Sequence, residues 1–153
     1  MKGPVAQMPE PLVSFLQSKR LVLVVTTDPT GQVRASALSW VYAVSERILR
    51  FAVDQKARLL DAVRQGHSLL FLVVGPDSTY SIQGTGRESP IPVEDSPIRL
   101  AVVEVEVSEV DDIMFYGGVV TAAPAIAVTY GQDLADKLDR SVFSALSSKE
   151  IGQ

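Results

Sequence analysis

The stretch that most constrains the fold is residues 21–60, which reads as three strands joined by short turns and followed by a helix. Residues 21–27 are apolar on both alternating faces, which is typical of a strand covered on both sides. Residues 28–31 read Asp-Pro-Thr-Gly, in which the proline presets φ and the glycine tolerates a left-handed exit. We therefore predict a turn here, followed by one long strand over residues 32–44.

A third strand and a helix complete this stretch. The third strand is predicted over residues 48–53, and Asp54 stands where a helix N-cap is expected. The following helix, over residues 56–65, carries Lys56 and Arg58 in its first turn. Cations beside a helix N-terminus favour the binding of an anion.

Three further strands are predicted from apolar patterning. Residues 68–74 are apolar on both faces, and residues 79–88 alternate apolar with polar side chains. Gly84 and Gly86 interrupt the second of these runs, which indicates a bulge or a close approach by another backbone. Residues 98–109 alternate too, and here valines are expected to face the core while Glu104, Glu106 and Ser108 face water.

The C-terminal part predicts a helix over residues 132–146. Its apolar side chains recur every four residues and form one docking face, made of Leu134, Leu138, Val142 and Leu146. The pattern is compatible with docking on the chain's own barrel and with docking on a second subunit. Between the last strand and this helix, a short strand is predicted at 119–121, and Phe115 and Tyr116 are alternative candidates for lining a substrate or partner pocket.

Together these elements predict a mainly β (α+β) fold, a six- to seven-stranded antiparallel split barrel. One helix lies between strands 3 and 4 and another at the C-terminus. The length of 153 residues predicts a single domain over 1–153. Residues 1–10 are expected to be a loosely held tail, and a short helix is expected over 11–19.

Composition excludes several classes of function. The net charge of -4 and pI of about 4.9 argue against a nucleic-acid binder that relies on phosphate contacts. Cysteine is absent, and His67 is the single histidine, so thiolate chemistry, a metal site and a serine–histidine relay are not expected. No apolar run approaches the roughly 20 residues of a spanning helix. We expect no membrane association and a cytoplasmic location.

The order of the pieces over residues 21–88 resembles the flavin-binding split-barrel family that includes pyridoxamine 5′-phosphate oxidase. The matching pieces are the D-P-x-G turn, an aromatic residue at Trp40, a third strand containing F-A-V, a K-A-R-x-L helix start, a strand reading L-L-F-L-V and a strand ending in Q-G-x-G-R-E. The resemblance implies a small barrel that forms a homodimer and holds flavin mononucleotide (FMN) in a cleft between the two subunits.

The family's functional pattern is matched only in part. Its R-x-x-x-x-K strand pattern places Arg34 on the arginine and Ser39 on the lysine. Its S-R-K helix start places Gln55 on the arginine and Lys56 on the lysine, and a glutamine of its fifth strand falls near Thr79. The resemblance therefore implies phosphate contacts from Arg34 and Lys56.

Physical requirements of a flavin extend this set. A phosphate dianion needs cations, which Arg34, Lys56 and Arg58 carry. A flavin ring needs backbone hydrogen bonds at its polar edge and an apolar wall for its face. The residues expected to provide these are Ala37, Leu38, Ser39, Trp40, Phe51, Ala52 and Val53.

Two function hypotheses follow. The first is a homodimeric FMN-dependent oxidoreductase acting on an unknown small molecule, in which the flavin performs the hydride chemistry and no catalytic side chain is assigned. The second is a non-catalytic binding or sensing protein that holds flavin, haem or deazaflavin, or no cofactor at all.

Overall fold

The computed structural model describes residues 3–149, which form three helices and seven strands. The helices are α1 (Glu10–Phe15), α2 (Leu59–Arg64) and α3 (Gln132–Leu146). The strands are β1 (Val22–Thr27), β2 (Val33–Leu38), β3 (Val41–Ala43), β4 (Ile48–Asp54), β5 (Ser68–Val74), β6 (Thr79–Ser89) and β7 (Leu100–Asp112).

The seven strands form one antiparallel sheet in the order β2-β1-β5-β6-β7-β4-β3. Strands β2 and β3 occupy opposite edges of this sheet, yet only Ser39 and Trp40 separate them in the chain. The link from Leu38 to Val41 spans at most about 11 Å, whereas a flat seven-stranded sheet would hold its edges about 29 Å apart. The sheet must therefore curl until its edges meet at this corner.

This topology confirms the predicted antiparallel split barrel and corrects one of its strands. The prediction of a single strand over residues 32–44 is wrong, because the chain leaves β2 at Ser39 and enters β3 at Val41. The two halves pair with different partners, β2 with β1 and β3 with β4. An apolar pattern that continues through the break cannot reveal this change of partner.

The interior of the barrel is filled by alternate side chains of the strands. Phe51 of β4 and Phe71 of β5 are fully buried and meet edge to face, with their ring centroids 5.9 Å apart. Strand β6 shows the irregularity predicted for its glycines. Its register shifts between Gln83 and Gly84, where an added Cβ would collide with the backbone carbonyl of Glu106.

Helix α3 covers the outer face of the sheet near β3 and β4, which identifies the chain's own barrel as its docking surface. Leu138, Val142 and Leu146 are buried as predicted, but Leu134 is 43% exposed and lies outside the contact. The structure also corrects the prediction that Glu104 faces water. Its side chain is buried and pairs with the buried Arg50 at 3.0 Å.

The N-terminal residues pack against the barrel instead of forming a loosely held tail. Val5 exchanges two backbone hydrogen bonds with Val110, at 2.8 and 2.7 Å, and Met8 is 1% exposed. The predicted tail is therefore wrong for residues 3–10, and residues 1–2 lie outside the described range. The first helix ends at Phe15, earlier than the predicted residue 19.

Three other local predictions are corrected: the start of a helix, its N-cap and a short strand. The helix after β4 begins at Leu59 instead of residue 56, and Asp54 ends the strand. The Asp54 carboxylate still caps a turn, because it accepts a hydrogen bond from the Lys56 backbone N–H at 2.8 Å. Residues 119–121 do not form a strand.

Among the described residues, no helix is long and apolar enough to span a membrane.

Candidate functional site

A cleft of about 380 Å³ opens where the two edges of the sheet meet. Its walls come from the end of β2, the Ser39–Trp40 corner, the end of β4 and the turn that leads into α2. This volume lies within the range of small-molecule sites. Seven of the predicted cofactor residues line it: Ala37, Leu38, Ser39, Trp40, Ala52, Val53 and Arg58.

Backbone pairing holds the two walls of the cleft together. The Ala52 N–H donates to the Trp40 carbonyl at 3.1 Å, which ties the corner to β4. Strand β2 is a sheet edge, so its backbone N–H and C=O groups alternately face β1 and face away from it. The groups that face away can bind the polar edge of a flat ligand.

The Trp40 side chain is held from the outside of the barrel. Its indole Nε1 donates a hydrogen bond to Asp139 Oδ1 of α3 at 2.8 Å. The other oxygen of Asp139 pairs with Lys19 Nζ, also at 2.8 Å. The indole therefore forms a cleft wall with a defined orientation.

Three other predicted site residues do not line the cleft. Phe51 is fully buried in the barrel interior. The side chain of Lys56 is exposed on the turn before α2, two residues from Arg58. Arg34 points along the first hairpin, where its Nε donates to Asp28 Oδ2 at 2.8 Å and its guanidinium also reaches Gln32.

The partner of Arg34 is itself strongly held. Asp28 accepts hydrogen bonds from the Thr30 hydroxyl at 2.6 Å and from Arg34, and it also accepts from the backbone N–H groups of Thr30 and Gln32. The Thr30 hydroxyl, followed by the Arg34 guanidinium, holds the pKa of Asp28 well below its usual range. Arg34 thus has a structural partner on the hairpin, apart from the cleft.

Arg58 is the predicted cation that lines the cleft. It stands at the N-cap position of α2 without a side-chain capping bond, and its side chain is exposed. Helix α2 has six residues, too few for a large aligned dipole, so attraction for an anion at this point rests on the guanidinium.

Two other polar groups, His67 and Asp112, have structural partners. His67 Nδ1 lies 2.9 Å from the carbonyl of Thr27 and links α2 to the first hairpin. Asp112 accepts a hydrogen bond from the Ser78 hydroxyl at 2.7 Å, which lowers the pKa of this carboxyl. Among residues 3–149, no group of three histidine or carboxylate side chains could hold a metal ion.

The structure adds cleft residues that the sequence patterns did not single out as cofactor contacts. They are Ser36, Asp54, Ala57, Leu59 and Tyr130. Ser36 shares a strand face with Leu38, so strand alternation is a usable signal for it. Tyr130 carries no such signal, because it ends an irregular segment and only tertiary folding brings it to the cleft.

Comparisons with known proteins give similarity in structure rather than in sequence. Protein-family models and curated protein sequences yield no match. A solved structure of a candidate pyridoxamine 5′-phosphate oxidase from Lactobacillus delbrueckii superposes with a TM-score of 0.62 at 12% identity, over 72% of this chain and 99% of that chain. The chain has a split-barrel fold.

Two further solved structures extend this similarity. An F420 reductase aligns with a TM-score of 0.54 at 16% identity, over 68% of this chain and 98% of that chain. A FAD and heme binding protein from Mycobacterium smegmatis aligns with a TM-score of 0.53 at 14% identity, over 86% of this chain and 93% of that chain. What the chain shares with these neighbours is the fold, and each alignment extends over nearly the whole of the neighbour's chain.

Proposed function

We propose that this split barrel binds FMN in the cleft at the Ser39–Trp40 corner and acts as a flavin-dependent oxidoreductase on a small molecule. The observation that carries the proposal is the convergence on one cleft of residues 37–40 with Ala52, Val53 and Arg58 from a separate part of the chain. The sequence predicts flavin contacts from each of these residues. The neighbours with the same fold include proteins named for FAD, heme and F420.

The roles of the cleft residues follow from their chemistry. The outward-facing backbone groups of β2 would bind the polar edge of the ring, while Trp40, Ala52 and Val53 would cover its face. Arg58 would pair with the phosphate, with Lys56 as a second cation from the same turn. A bound flavin supplies the hydride chemistry, and the protein orients it and excludes water.

We propose further that a second copy of the chain completes the site. Large apolar side chains are exposed along residues 113–130: Ile113, Phe115, Tyr116, Val119, Ile126 and Tyr130. A contiguous exposed apolar surface is typical of a protein–protein interface. Tyr130 belongs to this segment and also lines the cleft, so a subunit that covers the segment would border the bound ligand.

The oligomeric state is tested by sedimentation at several protein concentrations. Phe115 is 75% exposed, so Phe115→Asp should leave the monomer folded and weaken dimerisation by burying a charge at the interface. Glu109→Asp, at an exposed acidic position on β7, serves as the control. Sedimentation of the unaltered protein as a monomer at every concentration would contradict the dimer.

One observation favours a second candidate function. Among the described residues that line the cleft, Arg58 is the only cation. A single guanidinium is a weak complement to a phosphate dianion. In this second function the cleft would hold haem or a deazaflavin, which need less neutralisation of a phosphate. The protein would bind this cofactor without converting a substrate. The choice between the two functions rests on which cofactor is retained.

The deciding experiment incubates the purified protein separately with FMN, FAD, deazaflavin F420 and haem, removes free ligand and records the absorbance spectrum. Retention of FMN, followed by oxidation of a reduced nicotinamide, supports the oxidoreductase. Arg58→Ala should weaken FMN binding by roughly 1.5–3 kcal/mol, the range for a charge-assisted hydrogen bond. Arg140→Ala, at an exposed arginine on α3, is the matched control. Retention of haem alone would refute the flavin proposal.

A further inference from the structure

The link between Trp40, Asp139 and Lys19 connects three parts of the chain that are distant in sequence. Trp40 lies at the corner between β2 and β3, Asp139 lies in the middle of α3, and Lys19 follows α1. The indole N–H and the lysine ammonium each meet one oxygen of the same carboxylate, both at 2.8 Å. All three side chains are partly buried.

Helix α3 gives this carboxylate a fixed position. Val142 and Leu146, on the buried side of the helix, are fully covered, and Trp40 packs against the apolar cluster that they form with Ala52 and Val102. At the end of the helix, the carbonyl of Leu146 accepts a hydrogen bond from Arg50 at 3.1 Å. The helix segment that carries Asp139 is therefore fixed on the barrel by the residues that follow Asp139 in α3.

The indole orientation depends on this carboxylate. A hydrogen bond from an N–H donor to an ionised acceptor is about twice as strong as a neutral one. The Lys19 ammonium pairs with the second oxygen of Asp139 at 2.8 Å, which limits rotation of the carboxylate. Rotation of the Trp40 indole away from the cleft wall would require the loss of this charge-assisted bond.

We propose that Asp139 is a positioning residue that holds the Trp40 indole as a fixed wall of the cleft, so that α3 controls the fit of a flat ligand. The identity of the ligand rests on the function proposed above, whereas the hydrogen bond that fixes the indole does not depend on that function. Asp139 itself is not among the residues that line the cleft, so it acts through Trp40.

The test uses the fact that Trp40 is the single tryptophan of the chain, so intrinsic indole fluorescence reports on this residue alone. Asp139→Ala should shift the emission and increase quenching by acrylamide, because the indole loses its partner. Asp139→Asn should preserve both signals, since the amide oxygen can accept the same hydrogen bond. Asp136→Ala removes an equal charge from an exposed position one turn earlier and should change neither signal.

Ligand binding forms the second arm, measured as quenching of FMN fluorescence during titration. Asp139→Ala should weaken FMN affinity about three- to tenfold, the range expected for one hydrogen bond, and Asp139→Asn should restore it. In a Trp40→Phe background, Asp139→Ala should have no further effect on affinity, because phenylalanine has no N–H to be held. An equal loss in both backgrounds would overturn the positioning role.

The two arms separate failure of this inference from failure of the proposed function. Absence of FMN binding by the unaltered protein would refute the flavin site, while the emission of Asp139→Ala would still decide whether the carboxylate holds the indole. Emission and quenching identical to those of the unaltered protein would overturn the inference. Should Asp139→Ala fail to fold, Asp139→Leu provides the same test, because leucine keeps the size of the side chain without a hydrogen-bond acceptor, and unchanged quenching of its indole would count against the proposal.

Discussion

Removal of the Glu104 carboxylate is expected to cause one of the largest stability losses available to a polar substitution in this protein. Arg50 is 2% exposed and Glu104 is 7% exposed. Arg50 Nε donates to Glu104 Oε1 at 3.0 Å, and Arg87, at the solvent side, approaches the other oxygen at 3.3 Å. Glu104→Ala would leave the guanidinium of Arg50 beneath α3 without its carboxylate.

The size of the loss follows from this geometry. Removal of one partner of a buried ion pair costs about 3–5 kcal/mol, because the remaining charge stays desolvated. Arg50 also donates to the carbonyls of Leu146 and Ser148, at 3.1 and 2.6 Å, and these acceptors remain in the variant. We therefore expect Glu104→Ala to lower the free energy of unfolding by about 3 kcal/mol, the lower end of the range.

The assay is urea unfolding followed by far-UV circular dichroism, with the slope of the transition used to check that cooperativity is unchanged. Glu106→Ala is the matched control, since Glu106 is two residues further along β7 and is exposed. Its cost should stay within about 0.5 kcal/mol. A loss for Glu104→Ala that is within about 1 kcal/mol of the control would refute the reasoning that the pair is desolvated.

Three further predictions test other parts of the fold. Leu138→Ala should destabilise the protein by about 2–5 kcal/mol, whereas Leu134→Ala on the exposed side of the same helix should cost less than about 1 kcal/mol; equal losses in urea unfolding would mean that α3 docks differently. Gly84→Ala should cost about 1–3 kcal/mol, since its Cβ would collide with the Glu106 carbonyl; an unchanged melting temperature would contradict the bulge. The pKa of Asp28 is lower in the folded state than in the unfolded chain, so its stabilising effect is present above the ordinary carboxyl pKa of about 3.9 and is lost as the pH falls below it. Asp28→Asn should therefore be less stable than the unaltered protein at neutral pH, and the difference should shrink in unfolding curves recorded at increasingly acidic pH.

Local patterns predicted the elements whose environment is set by neighbours in sequence. The Asp28 to Gly31 turn forms as expected, with Gly31 at φ 85° and its N–H bonded to the Asp28 carbonyl at 2.9 Å. Strand β4 and helix α3 also appear where the apolar periodicity places them. Each of these elements is predicted from a pattern within its own residues, so the sequence alone is sufficient to locate it.

Positions that depend on distant partners were predicted less well. The alternation of Glu104 with valines predicts that it faces water, but its side chain is buried and pairs with Arg50, which lies more than fifty residues earlier on β4. Arg34 remains a predicted phosphate ligand that nothing here tests, and its ion pair with Asp28 on the hairpin is a contact that strand periodicity does not indicate. In both cases a long-range or side-chain contact determines the environment, and periodicity does not contain it.

The sequence alone predicts the mainly β class, the order of most of its elements and residues of two segments that border the cleft. Tertiary structure alone decided that the chain breaks at Ser39 and Trp40, that the two sheet edges meet there, and that Tyr130 and Asp139 reach this corner from the C-terminal part. The physical reason is the separation in sequence between the residues that interact. Strand and helix patterns reflect burial within a few residues, whereas a cleft forms where strand pairing closes a sheet and brings together side chains about a hundred residues apart, such as Trp40 and Asp139.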